Sequence, residues 1–319
     1  MGYGDWIHWT SIIRDLCFNV NSKKSDKGKR KYIKKLMEKF KTFPSYGVRD
    51  FKMTNSVTPF KIFINNPKIL KHQNEIFLNN PYITYDENYP NYIDFKFKSQ
   101  DYWSGTYSQF RDSKHIVSTY CDYIGMTDYK IKAEMYFTNE ELKKVQKIVP
   151  KEDFILIQPC DYKGYVKYPL NKFQEIVNKL KDKISFYQVG PEVYVKKKTI
   201  LLDNAKSLLG KTSSFREGVL LMKYAKLCLV VEGGLSIGSN VVNAKTIATY
   251  NASFNPIMTN YDNVIPIHIA SKDHYSCGVY TCSKKIKKKY PDGCLKCKEL
   301  GENHDVNIII NKIKEELNI

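Results

Sequence analysis

The chain has 319 residues, of which 42% are hydrophobic and 26% are charged, a balance typical of globular proteins. A single hydrophobic core tends to stop growing near about 250–300 residues, so the length predicts two domains. No apolar run approaches the roughly 18–20 residues that a membrane span needs, which excludes an integral membrane protein.

The chain is also strongly basic, and this bears on its partners. Its 51 Lys and Arg residues against 33 Asp and Glu residues leave a formal net charge of +18, which attracts nucleic acid, lipid head groups or nucleotide phosphates. Lysines cluster in residues 23–41 and 284–298. We interpret both clusters as solvated surface rather than as a stable nucleic-acid groove, and expect a cytoplasmic protein for which peripheral membrane contact stays open.

The first half of the chain predicts helices mixed with short strands. A glycine turn leads into a helix whose buried face carries Ile12, Ile13, Leu16 and Cys17. The apolar segments "FKIFINN", "NEIFLNN" and "YIDFKF" favour strands. A helix over residues 109–124 is expected to end at Gly125.

A capped helix closes this half of the chain. "TNEELKKVQKIV" predicts a helix that Thr138 or Asn139 caps and that Pro150 ends. We place the domain boundary there, which gives domains 1–149 and 150–319.

The second half alternates strand and helix. "FILIQP", "ISFYQVG", "LCLVV" and "KTIATY" predict strands, and "LNKFQEIVNKLKD", "SSFREGVLLMKYA" and "SIGSNVVNA" predict the helices between them. Such alternation indicates a parallel sheet covered by helices, an α/β fold. Ligands of such sheets bind beyond the carboxyl ends of the strands. "HDVNIIINKIKEELNI" predicts a terminal helix.

The segment "LCLVVEGGLSIGSN" places an acidic residue and two glycines at one of these strand ends. Backbone amides around Gly233, Gly234, Leu235 and Ser236 suit a diphosphate, and Glu232 suits ribose or sugar hydroxyls. The alternative is a strand-to-helix turn that needs glycine only for its dihedral angles.

Two other strand ends carry similar chemistry. Lys163 and Lys167 follow the "FILI" strand, where a lysine could hold a leaving phosphate as a point charge, and Glu192 follows the next strand. An ordinary surface lysine is the alternative for Lys167. Three such strand ends together favour a nucleotide site.

The order of these motifs resembles glycosyltransferase family 9, the heptosyltransferase-like enzymes. The similarity rests on "GYGD…TSIIRDL", "EIFLNNPYI", "HIVSTYCDYIG", "QPCDYKGYVKYP" and "LLGKTSSFREGVLLMKYAKLCLVVEGGLS", roughly residues 2–256. The resemblance implies the GT-B fold, with two Rossmann-like domains of helix-flanked parallel sheet facing a cleft. The first domain would be the acceptor side, and the second would bind a nucleotide sugar.

The resemblance also implies site residues. The Gly-Asp turn that supplies the family's catalytic base corresponds to Gly4 and Asp5, although only three residues precede it where the family has a strand. "KYP" matches the family's donor-contacting lysine at Lys167, with Tyr in place of Trp. "EGGLSI" stands where the family has an Asp-[Ser/Thr]-Gly-x-x-His loop, so that Glu232 replaces Asp and Ile237 occupies the histidine position.

The expected reaction is transfer with inversion from a nucleoside-diphosphate hexose or heptose to a glycan or glycolipid hydroxyl. Asp5, ionised beside a helix N-terminus, would take the acceptor's proton, although a capping role is its alternative. Lysine and amides would stabilise the leaving diphosphate, so no metal is needed for catalysis. His8 and Arg14 are candidates to face an acceptor, including an anionic one, although a histidine beside two Trp is more often packed.

Four of the eight cysteines form a C-x4-C…C-x2-C cluster in a Cys-rich tail, Cys277, Cys282, Cys294 and Cys297. Structural zinc, free thiols and a disulfide all stay open. Cys17, Cys121, Cys160 and Cys228 are expected in the core.

Two other functions stay open. One is a catalytically silent carbohydrate-binding protein of the same fold, suggested by the missing histidine, and the other is a basic nucleic-acid-binding protein with a zinc tail.

Overall fold

The computed structural model describes residues 3–41, 47–64, 75–96, 114–123, 125–159, 168–194, 197–251, 255–269 and 295–319. The chain forms two compact units, Met1–Tyr136 and Phe137–Ile319. Across the described ranges, no helix has both the length and the apolar character needed to cross a membrane.

The described part of the first unit contains three helices of eight residues or more and a four-stranded sheet. The helices are α1 (Tyr3–Asn21), α2 (Asp26–Lys41) and α3 (Ile116–Tyr123), and the strands are β1 (Gly47–Met53), β2 (Lys61–Phe63), β3 (Ile83–Thr84) and β4 (Asn91–Lys96). The strand order is β1-β4-β2-β3. β2 pairs in parallel with both β3 and β4, whereas β1 pairs antiparallel with β4, so this sheet is mixed rather than purely parallel.

Helix α1 is buried along almost its whole length. The predicted buried face is confirmed, since Ile12, Ile13, Leu16 and Cys17 are all at most 2% exposed. The predicted glycine turn is wrong, because Gly4 and Asp5 already belong to the first turn of α1. Asp5 is therefore the third residue of a helix.

Two other predictions in this unit have different outcomes. "NEIFLNN" is not a strand, because residues 75–77 form a helical turn that ends at Asn79, whose φ is 61°. Ile76 and Phe77 lie in that turn and are buried, which explains why the segment is as apolar as a strand. Gly125 has a φ of 70°, as expected of a residue that ends a helix.

The second unit begins with α4 (Asn139–Gln146), earlier than the predicted boundary at residue 149. The predicted cap is Thr138, whose hydroxyl accepts from the Glu141 amide while the Glu141 carboxylate accepts from the Thr138 amide. The boundary shifts because α4 packs on the second core. Val145 is fully buried there, and the guanidinium of Arg216 contacts the Glu141 carboxylate at 2.5 Å and 2.9 Å.

The rest of the second unit alternates strands and helices. The strands are β5 (Phe154–Gln158), β6 (Ser185–Gly190), β7 (Val193–Tyr194), β8 (Lys197–Lys198), β9 (Ala205–Leu209), β10 (Leu227–Val231), β11 (Thr246–Tyr250) and β12 (Val264–His268). The helices are α5 (Leu170–Leu180), α6 (Phe215–Met222), α7 (Gly234–Gly238), α8 (Leu295–Asn303) and α9 (Asn307–Leu317). Ser214 caps α6, one of the two predicted caps.

Six of these strands form a parallel sheet in the order β12-β11-β10-β5-β6-β9. Numbered within the unit and read from the other edge, the order is 3-2-1-4-5-6, that of a doubly wound Rossmann sheet. The predicted α/β class with a helix-flanked parallel sheet is confirmed. The strand order reverses between β5 and β10.

Helices cover both faces of this sheet. Ile155 and Ile157 of β5 pack into one core with α5 and α9, while Phe154 and Leu156 pack into the other core with α4 and α6. The central strands are therefore continuous apolar runs, as parallel strands buried on both faces should be. The predicted terminal helix is α9, and it belongs to the first of these two cores.

We expect Glu141→Gln to destabilise the second unit by about 3–5 kcal/mol, because it removes the charge that faces a guanidinium only 2% exposed. Gln preserves the capping interaction, so the ion pair is what is lost. The matched control is Glu140→Gln, an exposed neighbour in the same helical turn. Urea unfolding measures both variants.

The same urea unfolding, repeated at decreasing pH, provides a second measurement. The hydrogen bond from Arg216 holds the pKa of Glu141 below its usual range. The contribution of the pair is therefore present above the unfolded pKa of about 4.3 and is lost as the pH falls through the lower pKa of the folded state. The unfolding free energy of Glu141→Gln should not show this decrease at acid pH. If the variant and the wild type lost stability equally as the pH fell, the assignment would be contradicted.

Candidate functional site

The carboxyl edge of the six-stranded sheet brings two of the predicted strand ends together. β10 pairs with β5 through Val230 and Gln158, so Glu232 follows the strand next to β5 on one side. β6 pairs with β5 on the other side, and Glu192 follows β6. The backbone segments that carry these two residues thus flank the end of β5, and Glu232 lies at the point where the strand order reverses, between β5 and β10, which is where doubly wound sheets bind ligands.

The turn after β10 explains the first of its two glycines. The Glu232 amide still donates to the Thr249 carbonyl at 2.9 Å, so the ladder extends to this residue. Gly233 then has φ 151° and ψ −154°, a region that essentially only glycine occupies. α7 starts at the next residue. The dihedral requirement given above as the alternative therefore holds for Gly233, and it is compatible with ligand binding.

Ser236 closes this turn. Its hydroxyl accepts from the Gly233 amide at 2.9 Å and donates to the Gly233 carbonyl at 2.8 Å, and its side chain is buried. The Gly233 amide and the Ser236 hydroxyl thus serve the turn itself rather than facing a ligand. This corrects the expectation that all the amides of residues 233–236 are open to a diphosphate. The amides of Gly234 and Leu235, in the first turn of α7, have no partner within the helix.

Glu232 is half-buried and lies close to β11. Burial, and then the charge of Glu232, raise the pKa of Tyr250. The carboxylate therefore remains partly accessible at the edge while its field reaches the adjacent strand.

Glu192 lies across the end of the neighbouring strand β9. Gly210 has a φ of 69°, and its amide donates to the Gly190 carbonyl at 2.8 Å. A Cβ at Gly210 would lie 2.7 Å from Cγ of Glu192. Glycine at 210 thus makes room for the exposed Glu192 side chain to lie against the backbone.

The family-like "KYP" segment is described from Tyr168 onwards. Tyr168 is buried, with its ring edge-on to Phe173 and its hydroxyl 3.0 Å from Nδ1 of His304. Tyrosine at the family's Trp position is thus a core residue that fixes the start of α5. Lys163 and Lys167 lie outside the described residues.

His8 is buried, which agrees with the packed alternative given above and not with an acceptor-facing position. It is 1% exposed, and its ring centroid lies 5.4 Å from that of His115 in an edge-on arrangement. Burial, and then the proximity of His115, lower the pKa of His8 well below its usual value. The ring is a core histidine.

Arg14 is also structural, which corrects the second acceptor-side prediction. Its guanidinium is bidentate to Asp15 at 2.7 Å and 2.9 Å and contacts Glu134 at 3.0 Å. It also donates to the carbonyls of Lys130 and Lys132. With its donors engaged in this way, Arg14 holds the segment at residues 130–134 against α1.

The remaining predicted residues lie partly or wholly outside the described part of the chain. Asp5 is placed in the backbone of α1 and Cys297 in that of α8, but their side chains are outside it, as are Cys160, Cys277, Cys282 and Cys294. Among the side chains that are described, no group of His, Cys, Asp and Glu could hold a metal ion. Cys17, Cys121 and Cys228 are buried thiols as predicted, and burial raises the pKa of Cys17 to about 12.

No protein-family model matches the sequence, and no curated protein matches it. Solved structures to which the chain is similar include a family 9 glycosyltransferase and two heptosyltransferases. The first is the glycosyltransferase family 9 protein of Veillonella parvula DSM 2008, with 14% identity and a TM-score of 0.45, covering 65% of this chain and 61% of that one.

The other two are from E. coli. The ADP-heptose LPS heptosyltransferase II has 12% identity and a TM-score of 0.41, covering 58% of this chain and 53% of that one. The heptosyltransferase WaaC with ADP has 13% identity and a TM-score of 0.37, covering 55% of this chain and 57% of that one. The chain thus spans between 53% and 61% of the length of these structures.

We expect Gly233→Ala to destabilise the second unit by about 1–3 kcal/mol, because a Cβ is strained at this φ and ψ. The matched control is Gly218→Ala inside α6, where an added Cβ would lie 3.6 Å from Leu235, an ordinary contact. The control should be neutral or stabilising by up to about 1 kcal/mol, since alanine is the better helix former. Thermal unfolding of the two variants checks the difference, and equal effects would contradict it.

Proposed function

We propose that the chain is an inverting, metal-independent glycosyltransferase that moves a hexose or heptose from a nucleoside-diphosphate donor to a glycan or glycolipid hydroxyl. The observation that carries this proposal is Glu232 and the glycine turn after β10, which lie at the reversal of a doubly wound sheet, with Glu192 further along the same edge. The family-like order of the sequence motifs supports it.

The donor would bind along this edge. Glu192 and Glu232 accept hydrogen bonds from ribose or sugar hydroxyls, since an ionised carboxylate is an acceptor only and would repel a phosphate. Lys167 provides the cation for the diphosphate, together with the amides of Gly234 and Leu235. Gly233 and Ser236 take part by shaping the turn.

Asp5 is the proposed general base, as the family resemblance implies. Its place in the first turn of α1 favours the ionised carboxylate, because the helix dipole stabilises a negative charge there. An anionic carboxylate can accept a proton from the acceptor hydroxyl.

The proposed step is a single displacement at the anomeric carbon. The acceptor oxygen forms a bond to that carbon as the bond to the diphosphate oxygen breaks, and the hydroxyl proton passes to Asp5. The electron pair of the broken bond leaves on the nucleoside diphosphate. Lys167 and the amides at the turn stabilise that developing charge, and attack from the opposite face inverts the configuration.

Donor binding is tested by thermal shift and calorimetry against ADP, GDP, UDP and their sugars. The panel begins with ADP and ADP-heptose because similar solved structures include an ADP-heptose LPS heptosyltransferase and WaaC with ADP. A donor at about 100 times its Kd stabilises the fold by about 2.7 kcal/mol. Glu232→Gln and Lys167→Met should each weaken binding at least tenfold, whereas Glu140→Gln should not. If neither Glu232→Gln nor Lys167→Met weakened binding, the proposed donor site would be contradicted.

The base is tested separately by Asp5→Asn. We expect turnover to fall by about 10²–10⁴-fold with little change in thermal stability. The matched control is Asp26→Asn, because Asp26 lies in the first turn of α2 and shares only the helix-end role. Equal turnover of both variants and the wild type would remove Asp5 from the mechanism.

A catalytically silent carbohydrate-binding protein is the second candidate. Ile237, at the family's histidine position, is 5% exposed and belongs to the buried side of α7. A site without that imidazole could bind a donor and leave it intact. Donor binding without transfer or hydrolysis across the panel would favour this second candidate.

A further inference from the structure

The outer face of α2 carries a stripe of cations. Five of its basic side chains are exposed at the spacing of one broad helix face, Lys27, Arg30, Lys31, Lys34 and Lys35. Glu38 is the exposed acid among the α2 side chains that the structure describes, residues 26–38. The stripe therefore has a dense positive charge.

The opposite face fixes α2 to the first unit. Ile33 and Leu36 are buried, and Lys29 is buried with them, its ammonium donating to the Ser56 carbonyl at 3.1 Å. The Ser25 hydroxyl accepts from the Gly28 amide at 3.1 Å and caps the helix. The cations thus project from an anchored helix.

Two exposed apolar side chains lie near the start of this helix. Val57 is 89% exposed and Phe18 is 60% exposed. The loop that carries Val57 is tied to α2 by the Lys29–Ser56 contact, and the Phe60 amide that follows it donates to the Asn21 side chain at the end of α1 at 2.8 Å. Arg30 of the stripe also donates to the Met53 carbonyl at 3.3 Å, just before the same loop, so Val57 lies beside the cationic face.

We propose that α2, together with Val57 and Phe18, is a docking surface for an anionic phospholipid bilayer. Lysine-rich stripes are attracted to anionic head groups, and apolar tips can enter the boundary between head groups and acyl chains. A nucleic-acid surface would combine cations with stacking aromatics and base-reading amides. The exposed side chains described on α2 are cations and one carboxylate, and Tyr32, the aromatic residue described there, is only partly exposed, which favours the lipid.

The expected strength follows from the number of charges. Each Lys or Arg near an anionic membrane surface strengthens binding about fivefold, and the attraction falls off within a Debye length of about 8–10 Å. Removing three cations of the stripe should therefore weaken binding about 100-fold. This proposal does not depend on the proposed donor site, so either one can fail without the other.

The experiment is sedimentation of the full chain with vesicles of phosphatidylcholine containing about 30% phosphatidylserine, against pure phosphatidylcholine vesicles. The variant is Lys27→Gln with Lys31→Gln and Lys34→Gln, since Gln matches Lys in helix propensity. The matched control carries Lys143→Gln, Lys183→Gln and Lys314→Gln, three exposed lysines of the second unit. Both have the same net charge.

We expect the wild type and the control to bind the anionic vesicles alike, to release them as salt is raised, and to leave pure phosphatidylcholine unbound. The stripe variant should bind about 100-fold more weakly, and Val57→Ser should weaken binding several-fold at a salt concentration that screens the charges. Unchanged melting temperatures show that the variants are folded. If the stripe variant did not fold, the salt titration of the wild type and Val57→Ser would decide.

Three results would overturn the proposal. One is a wild type that does not bind anionic vesicles at low salt. Another is equal loss of binding in the stripe variant and in the matched control, which would assign the attraction to total charge. The third is tighter binding to duplex or single-stranded DNA than to vesicles at equal phosphate concentration, with the stripe variant losing both.

Discussion

The second unit depends on the burial of one parallel sheet on both of its faces. Side chains of β5 and β10 alternate between two cores, so neither strand has a side left for polar chemistry. Each fully buried aliphatic side chain contributes about 1.5–3 kcal/mol, which makes the apolar runs of these strands obligatory. β5 and β10 carry no charged residue, and because the sheet is parallel, Glu192 and Glu232 lie beyond the strand ends at the same edge.

The same constraint explains what could be predicted from the sequence. Strands β5, β6, β10 and β11 are internal and were found from their apolar runs. The edge strands β9 and β12 were missed because "AKSLL" has polar residues on its exposed positions and "VIPIH" contains Pro266. Proline is tolerated at an edge because the outer side of the strand needs no donor. Their absence from the prediction concealed the strand order.

The prediction of site residues was less accurate for α1 than for the strand ends. A spacing pattern separates a buried from an exposed helix face, but α1 is buried on nearly all sides, so the pattern gave no sign that Arg14 is buried, whereas the packed alternative for His8 came from its two Trp neighbours. Apart from Asp15, the partners of Arg14 lie about 120 positions away in sequence, at Lys130, Lys132 and Glu134. No local pattern reports such contacts. The turn at Gly233 was found because its signal, two glycines after an apolar run, is local.

The position of α4 has a practical consequence for anyone dividing this protein into separately expressed fragments. A fragment started at Pro150, the residue that the sequence predicts to end the preceding helix, would lack the carboxylate that contacts the Arg216 guanidinium and the fully buried Val145. A fragment started at Phe137 keeps both, and it also keeps the ring that lies 4.9 Å from that guanidinium.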